Sequence, residues 1–77
     1  MVLEYVIQGG DFSRAGSCSS AVKKVLKQLN VSPVVIRKLV VALYEAEVNV
    51  VAHAWKGKLR VEIDSKSVQC VIEDEGP

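Results

Sequence analysis

A long apolar helix constrains this chain more than any other feature of its sequence. Ser32-Pro33 predicts the start of that helix, because Ser can cap free backbone N–H groups and Pro at the first helical position loses no hydrogen bond. The helix is expected to run to about Ala54 and to end before Gly57. Apolar residues cover most of its circumference, which is typical of a helix buried on more than one face. We therefore expect a central helix that contacts both a sheet and a second helix.

The segments on either side of this helix have other periodicities. Residues 2 to 8 and 58 to 64 alternate apolar and polar side chains, and residues 67 to 73 follow after a short turn. This pattern predicts three strands, of which the last two form a hairpin. Residues 13 to 29 have helical spacing, and Asn30 is a suitable left-handed cap. The predicted fold class is α+β in the order β-α-α-β-β, with two helices packed on one face of a sheet.

Length and composition limit the possible classes of protein. A chain of 77 residues allows one domain, residues 1–77, and its hydrophobic content of 49% provides a core to bury. The net charge of +1 predicts no general attraction to nucleic acid or to an anionic membrane. The N-terminus does not resemble a signal peptide, and no segment has the roughly 18 uncharged apolar residues of a membrane span. A cytoplasmic location is expected.

The lysines and cysteines are expected to have structural rather than functional roles. Lys23, Lys24 and Lys27 are interpreted as the solvated face of the first helix and not as a binding patch. Cys18 and Cys70 have neither metal-ligand spacing nor the pattern of a disulfide framework. We expect both to be small apolar residues under reducing conditions, with Cys70 buried in a strand.

Three polar residues, Glu45, Asn49 and His53, recur at every fourth position of the apolar helix and form one stripe. A carboxylate can take a proton from water, and an amide oxygen suits Mg²⁺ that is already held by phosphates. Spacing alone favours a solvated strip, in which Glu45 and Asn49 pair with each other or with Lys38. Glu47 is expected at a contact rim or beside a Lys or Arg, and His53 as a hydrogen-bonded core histidine.

The residues after the last predicted strand, Asp74-Glu75-Gly76-Pro77, change this interpretation. A carboxylate there can accept a hydrogen bond from an exocyclic amine such as that of adenine, and Gly permits close approach. Together with residues 44 to 54, the pattern resembles the ATPase fold shared by gyrase, Hsp90, histidine kinases and MutL. Within that superfamily it is most similar to the anti-sigma-factor serine/threonine kinases. The resemblance covers essentially the whole chain and implies half of a histidine-kinase-like α/β sandwich.

This resemblance implies a role for each residue that matches the family's motifs. Glu45 would be the catalytic residue that acts as general base or polarises the attacking group. Asn49 would complete Mg²⁺ coordination, and Asp74 would bind the adenine amino group. Gly76 would line the adenine site, so the implied cofactors are ATP and Mg²⁺. His53 recurs in the anti-sigma subgroup and supports that assignment without a catalytic role. The implied partners are a sigma factor and an anti-sigma antagonist protein that is phosphorylated on serine.

The resemblance extends over only the N-terminal half of the family's domain. The family's second motif normally continues past Gly76-Pro77 to another Gly, and a lid and a glycine-rich phosphate cradle follow. Phosphoryl transfer depends mainly on positioning and charge stabilisation of the phosphates. We therefore expect the intact parent to bind ATP, and this portion to bind it weakly or not at all and to be inactive alone.

Two alternatives remain open at the level of sequence. The first is a non-catalytic protein-interaction or dimerisation module built on the same half-fold. Its high apolar fraction and an unpaired sheet edge would favour a homo-oligomer. The second is an ATP-binding histidine-kinase-like domain from another signalling system.

Overall fold

The computed structural model describes residues 1–76 of the chain. A strand, two helices and two further strands follow one another, which confirms the predicted α+β order β-α-α-β-β. The strands form one antiparallel sheet in the order β1-β2-β3. The elements are β1 (Val2–Gln8), a 3₁₀ turn (Phe12–Arg14), α1 (Ser17–Gln28), α2 (Pro33–His53), β2 (Lys56–Ile63) and β3 (Val68–Glu75).

Alternation along each strand decides which face of the sheet is buried. In β2, Leu59 and Val61 are 2% and 0% exposed, whereas Arg60 between them is exposed. The register places Tyr5 of β1 and Ile72 of β3 opposite Leu59. Since opposite residues point to the same face, the inner side chains of all three strands lie side by side. The predicted alternation is therefore confirmed for the central strand and its neighbours.

Both helices lie on the inner face of the sheet. Helix α2 contacts all three strands and α1, which confirms it as the central helix, whereas α1 packs mainly against α2. The inner residues of β3, such as Cys70 and Ile72, are only partly buried, so the helix layer covers β3 less completely than β1 and β2. The buried apolar core consists of Ile7, Cys18, Val22, Leu26, Ile36, Leu43, Val50, Val51, Leu59, Val61 and Ile63.

Gly57 allows α2 to lie close to the sheet. It is buried near the start of β2, beneath Val50 of α2. A Cβ atom on Gly57 would lie 3.0 Å from both γ-carbons of Val50 and 3.1 Å from the carbonyl oxygen of Glu73. Interiors are close-packed, so these neighbours would have to move. Gly57 therefore helps to determine the distance between the C-terminal half of α2 and the sheet.

The first helix is shorter than predicted. It begins at Ser17 rather than near residue 13, because residues 12 to 14 form a separate 3₁₀ turn. Gly16 stands between the two elements with φ of 92°, a conformation that favours glycine. Gly16 is the N-cap residue and provides no side-chain cap for α1.

In the connection between the two helices, a residue other than glycine adopts the left-handed backbone conformation that usually requires glycine. Asn30 has φ of 59°, which confirms the predicted left-handed cap. The N–H of Val31 donates to the carbonyl of Leu26 at 3.1 Å and closes the end of α1. Ser32 is the N-cap residue of α2 and Pro33 follows it, as predicted, but the Ser32 side chain makes no capping hydrogen bond.

The hairpin turn is organised by Asp64. Its Oδ1 accepts hydrogen bonds from the N–H groups of Lys66 and Ser67, both at 2.7 Å. The bond from Lys66, followed by that from Ser67, lowers the pKa of the Asp64 carboxyl below its ordinary value. The predicted short turn at residues 64 to 66 is therefore held by one ionised side chain.

Candidate functional site

The polar stripe of α2 lies on the surface. Glu45, Asn49 and His53 are all exposed, so the expectation that His53 is a core histidine is wrong. At 100° per residue, Asn49 lies roughly opposite Val40 around the helix axis. Val40 and Tyr44 line the outer groove between α2 and α1. Asn49 therefore lies on the side of α2 that is turned away from α1, whereas Glu45 also lines the outer groove beside Val41 and Tyr44.

The end of β3 presents its acidic residue toward the helix layer. Alternation places Asp74 on the same face as Cys70 and Ile72, which are partly buried against the core. Asp74 itself is exposed. Gly76 follows the strand with φ of 130°, a backbone conformation that residues with side chains rarely adopt.

Two contacts bring the ends of α2 and β3 together. The N–H of Trp55, two residues after α2, donates to the carbonyl of Glu75 at 2.8 Å. Gly57, over which Val50 packs, is paired with Asp74 in the sheet. The C-terminal part of the stripe on α2 and the end of β3 therefore lie at the same end of the fold and border one region of the surface. We name it the α2–β3 notch and define it by Asn49, Ile72, Asp74 and Gly76.

Gly76 has little space beside the end of α2. A Cβ atom there would lie 2.7 Å from the backbone nitrogen of Trp55 and 3.1 Å from its ring. Trp55 as a whole is 73% exposed. Trp55 is the single tryptophan of the chain, so its fluorescence reports directly on this end of the notch. Pro77, the last residue of the predicted motif, lies outside the described residues.

Glu45 and Asn49 are free to interact with a ligand. Within residues 1–76, neither side chain makes a hydrogen bond or salt bridge, so the expected pairing with each other or with Lys38 does not occur. Glu45 lies one helical turn before Asn49, about 6 Å further from the β3 end along the axis. A carboxylate and an amide oxygen in this arrangement can act on a proton and on a hard cation, respectively.

Glu47 has a role that the sequence pattern did not reveal. It is 2% exposed, and it neither lies at a rim nor pairs with a Lys or Arg. Its carboxylate accepts hydrogen bonds from Cys18 and Ser19 in the first turn of α1. The sequence singled out Glu47 as an acid on the apolar side of α2, but it did not reveal the partners of its carboxylate.

The cysteines and metal-ligating residues form no further site in the part of the chain that the structure describes. Cys18 is buried and Cys70 partly buried, and both thiols are free. Burial raises the pKa of the Cys18 thiol, and the neighbouring charge of Glu47 raises it further. Residues 1–76 contain no group of three or more His, Cys, Asp or Glu side chains that could hold a metal ion. Nor does any helix among them have the length and apolar character needed to cross a membrane.

Comparison with known proteins gives one match. Residues 12–77 match the family model described as the histidine kinase-like ATPase domain. No curated protein and no solved structure matches the chain significantly. The matched region includes both helices and both strands of the hairpin, and hence every residue of the α2–β3 notch.

Proposed function

Because the chain belongs to the histidine kinase-like ATPase domain family, we propose that it binds ATP in the α2–β3 notch. The observation that carries this proposal is the junction of two elements. The hydrogen bond from Trp55 to Glu75 holds the end of α2 against the end of β3. An exposed amide on one element and an exposed carboxylate on the other therefore lie at the same end of the fold.

Each polar group of the notch fits a different part of the nucleotide. The Asp74 carboxylate would accept a hydrogen bond from the exocyclic amine of adenine, and Gly76 would let the base approach the backbone. The Asn49 amide oxygen would provide one ligand to Mg²⁺, which usually keeps several waters and takes phosphate oxygens as further ligands. Glu45, one turn away, would act as the general base toward an attacking hydroxyl group.

We further propose that the reaction of the intact parent is phosphoryl transfer to a protein serine or threonine in an anti-sigma regulatory system. The support is the match of Glu45, Asn49 and His53 to the stripe of that subgroup. The partners would be a sigma factor and an antagonist protein that receives the phosphate, in the cytoplasm. Under this proposal Glu45→Gln keeps ATP binding and removes phosphate transfer, since a neutral amide cannot accept the proton.

A titration with nucleotide followed by NMR tests the binding step and detects even weak affinity. Addition of Mg-ATP to the labelled chain should shift the amide signals of Asn49, Asp74 and Gly76 and change Trp55 fluorescence. Asn49→Ala should remove the difference between titrations with and without Mg²⁺. Ala52→Ser, an exposed change on α2, serves as the control. Shifts confined to other parts of the molecule, or full Mg²⁺ dependence in Asn49→Ala, would refute this site.

A second candidate function is a non-catalytic interaction or dimerisation module. The observation that favours it is the outer face of the sheet, where Val2, Val6 and Val71 are 50%, 56% and 52% exposed. Burial of such residues between two copies would favour a homo-oligomer. Light scattering of the chain and of Val6→Lys distinguishes the candidates. A dimer that Val6→Lys dissociates, together with no response to Mg-ATP, would support the module instead of the ATP site.

A further inference from the structure

The charges of this chain are unevenly distributed along its sequence. Residues 12 to 44, which include α1 and the first half of α2, contain six basic residues and no Asp or Glu. The other residues contain four basic and all nine acidic residues. The net charge of +1 is therefore the sum of a basic helical region and an acidic remainder of the chain. The basic residues are Arg14, Lys23, Lys24, Lys27, Arg37 and Lys38.

All six of these basic side chains are exposed and available to a partner. The salt bridges among residues 1–76 join Lys56 to Glu75 and Arg60 to Glu62, on the strands, and involve none of the six. Like charges at this density repel one another, and an acidic ligand would relieve that repulsion. The basic region is therefore better suited to binding an anionic partner than the net charge suggests.

Part of this basic region borders an apolar groove between the two helices. Val40 and Val41 form its centre, and Tyr44 lies toward one end. Val41 is 55% and Tyr44 50% exposed, so the groove presents apolar surface to solvent. Lys23, Lys27 and Arg37 line its rims. We name this surface the helix groove and define it by these six residues.

We propose that the helix groove binds an acidic amphipathic helix of a protein partner. A helix laid in the groove would bury its apolar side chains against Val41 and Tyr44. Carboxylates on the flanks of the same helix would pair with Lys23 and Lys27 on one rim and with Arg37 on the other. Asn49, Asp74 and Gly76 do not line the helix groove, so the peptide should bind without nucleotide.

The shape and charge of the surface favour a protein helix over the other anionic partners. Nucleic acid binds along basic surfaces with aromatic stacking partners, but the centre of the helix groove is aliphatic apart from Tyr44. A membrane takes up protruding apolar side chains, whereas these lie in a concave surface between two helices.

Selection from a displayed library of helical peptides tests the proposal without assuming a sequence. We expect the enriched peptides to have one apolar face flanked by Asp or Glu. One enriched peptide, titrated into the labelled chain, should shift the amide signals of Val40, Val41 and Tyr44. Its binding should weaken as the salt concentration rises, because the rim contacts are exposed ion pairs.

Two double variants with equal changes in net charge distinguish specific contacts in the helix groove from a general effect of net charge on peptide binding. Lys23→Glu with Lys27→Glu reverses two charges on the rim. Lys24→Glu with Lys38→Glu reverses two exposed charges that do not line the groove. The rim variant should weaken peptide binding by at least about tenfold and the control by less than about threefold. Circular dichroism checks that both variants remain folded.

Several results would overturn the proposal. These are enriched peptides without acidic flanks, the absence of any enriched peptide, and equal loss of affinity in the two double variants. Stronger shifts of the groove signals by duplex DNA or by phosphatidylserine vesicles than by the peptide would identify a different class of partner. Asn49→Ala should bind the peptide as well as the unchanged chain does, so failure of the ATP site leaves this test unaffected.

Discussion

Glu47 of α2 caps α1 at Ser19. The Ser19 N–H and hydroxyl group donate to Glu47 Oε1 at 3.1 and 2.8 Å, and the Cys18 N–H donates to Oε2 at 3.2 Å. Gly16, the N-cap residue of α1, has no side chain that could satisfy these groups. The first turn of a helix also carries partial positive charge, which favours an anion. A carboxylate from the neighbouring helix therefore replaces the missing local cap and joins the two helices.

Replacement of this carboxylate should destabilise the protein considerably. Glu47→Ala leaves buried N–H groups without acceptors and should lower the free energy of unfolding by about 2–4 kcal/mol. Ser19→Ala, which removes only the hydroxyl contact, should cost about 1 kcal/mol. Denaturant unfolding followed by Trp55 fluorescence measures both.

Glu45→Ala is the matched control, because Glu45 lies on the same helix but is exposed and makes no side-chain hydrogen bond or salt bridge within residues 1–76. It should change stability by less than about 0.5 kcal/mol. If the two glutamate variants lost similar stability, the capping role of Glu47 would be wrong.

The contrast between these two glutamates shows how far sequence reasoning extends. Helical periodicity distinguishes the side of α2 that carries Glu47 from the side that carries Glu45 and Asn49. Strand alternation likewise predicts the buried face of β2, because one face of that strand packs against helices. Periodicity, however, predicts only the side of the helix from which a side chain projects. The partner of Glu47 depends on the tertiary placement of α1. The proximity of Asp74 to α2 also depends on tertiary contacts, since it follows from the register of Gly57 and the bond made by Trp55.

The spacing between α2 and the sheet should be sensitive to a single methyl group at Gly57. Gly57→Ala places a Cβ atom against Val50 and should cost about 1–3 kcal/mol of stability. Val50→Ala alone should also destabilise, because it leaves a cavity. Together the two changes should cost less than the sum of their separate effects, since the smaller side chain makes room for the new methyl group. Strict additivity in this double-mutant cycle would show that contact with Val50 is not the reason that Gly57 is required.

The hairpin turn should make stability depend on pH in the acid range. Hydrogen bonds from Lys66 and Ser67 lower the pKa of Asp64 in the folded state relative to an unfolded value of about 3.9. Its contribution to stability is therefore fully present above the unfolded pKa and is lost as the pH falls through the lowered folded pKa. Asp64→Asn keeps an acceptor oxygen in the turn but cannot titrate.

Thermal unfolding midpoints of the unchanged chain and of Asp64→Asn should differ by a constant amount above about pH 5, and the difference should shrink below about pH 4. Glu73→Gln, an exposed change in β3, should show no such trend. A difference that stays constant down to the lowest pH would contradict the assignment of this titration to Asp64.

Purine selectivity is the sharpest test of the role proposed for Asp74. Adenine carries an exocyclic amine that can donate to the carboxylate, whereas guanine carries a carbonyl oxygen at the same ring position and would leave Asp74 facing a second acceptor. The unchanged chain should therefore bind Mg-ATP at least about tenfold more tightly than Mg-GTP, measured by NMR titration. Asp74→Ala should reduce that preference to less than about threefold, chiefly by weakening ATP binding.

Glu73→Ala removes an equal charge from the adjacent residue on the outer face of β3 and should leave the preference for ATP intact. Equal affinity for the two nucleotides, or equal effects of the two variants, would exclude a direct contact between Asp74 and the base.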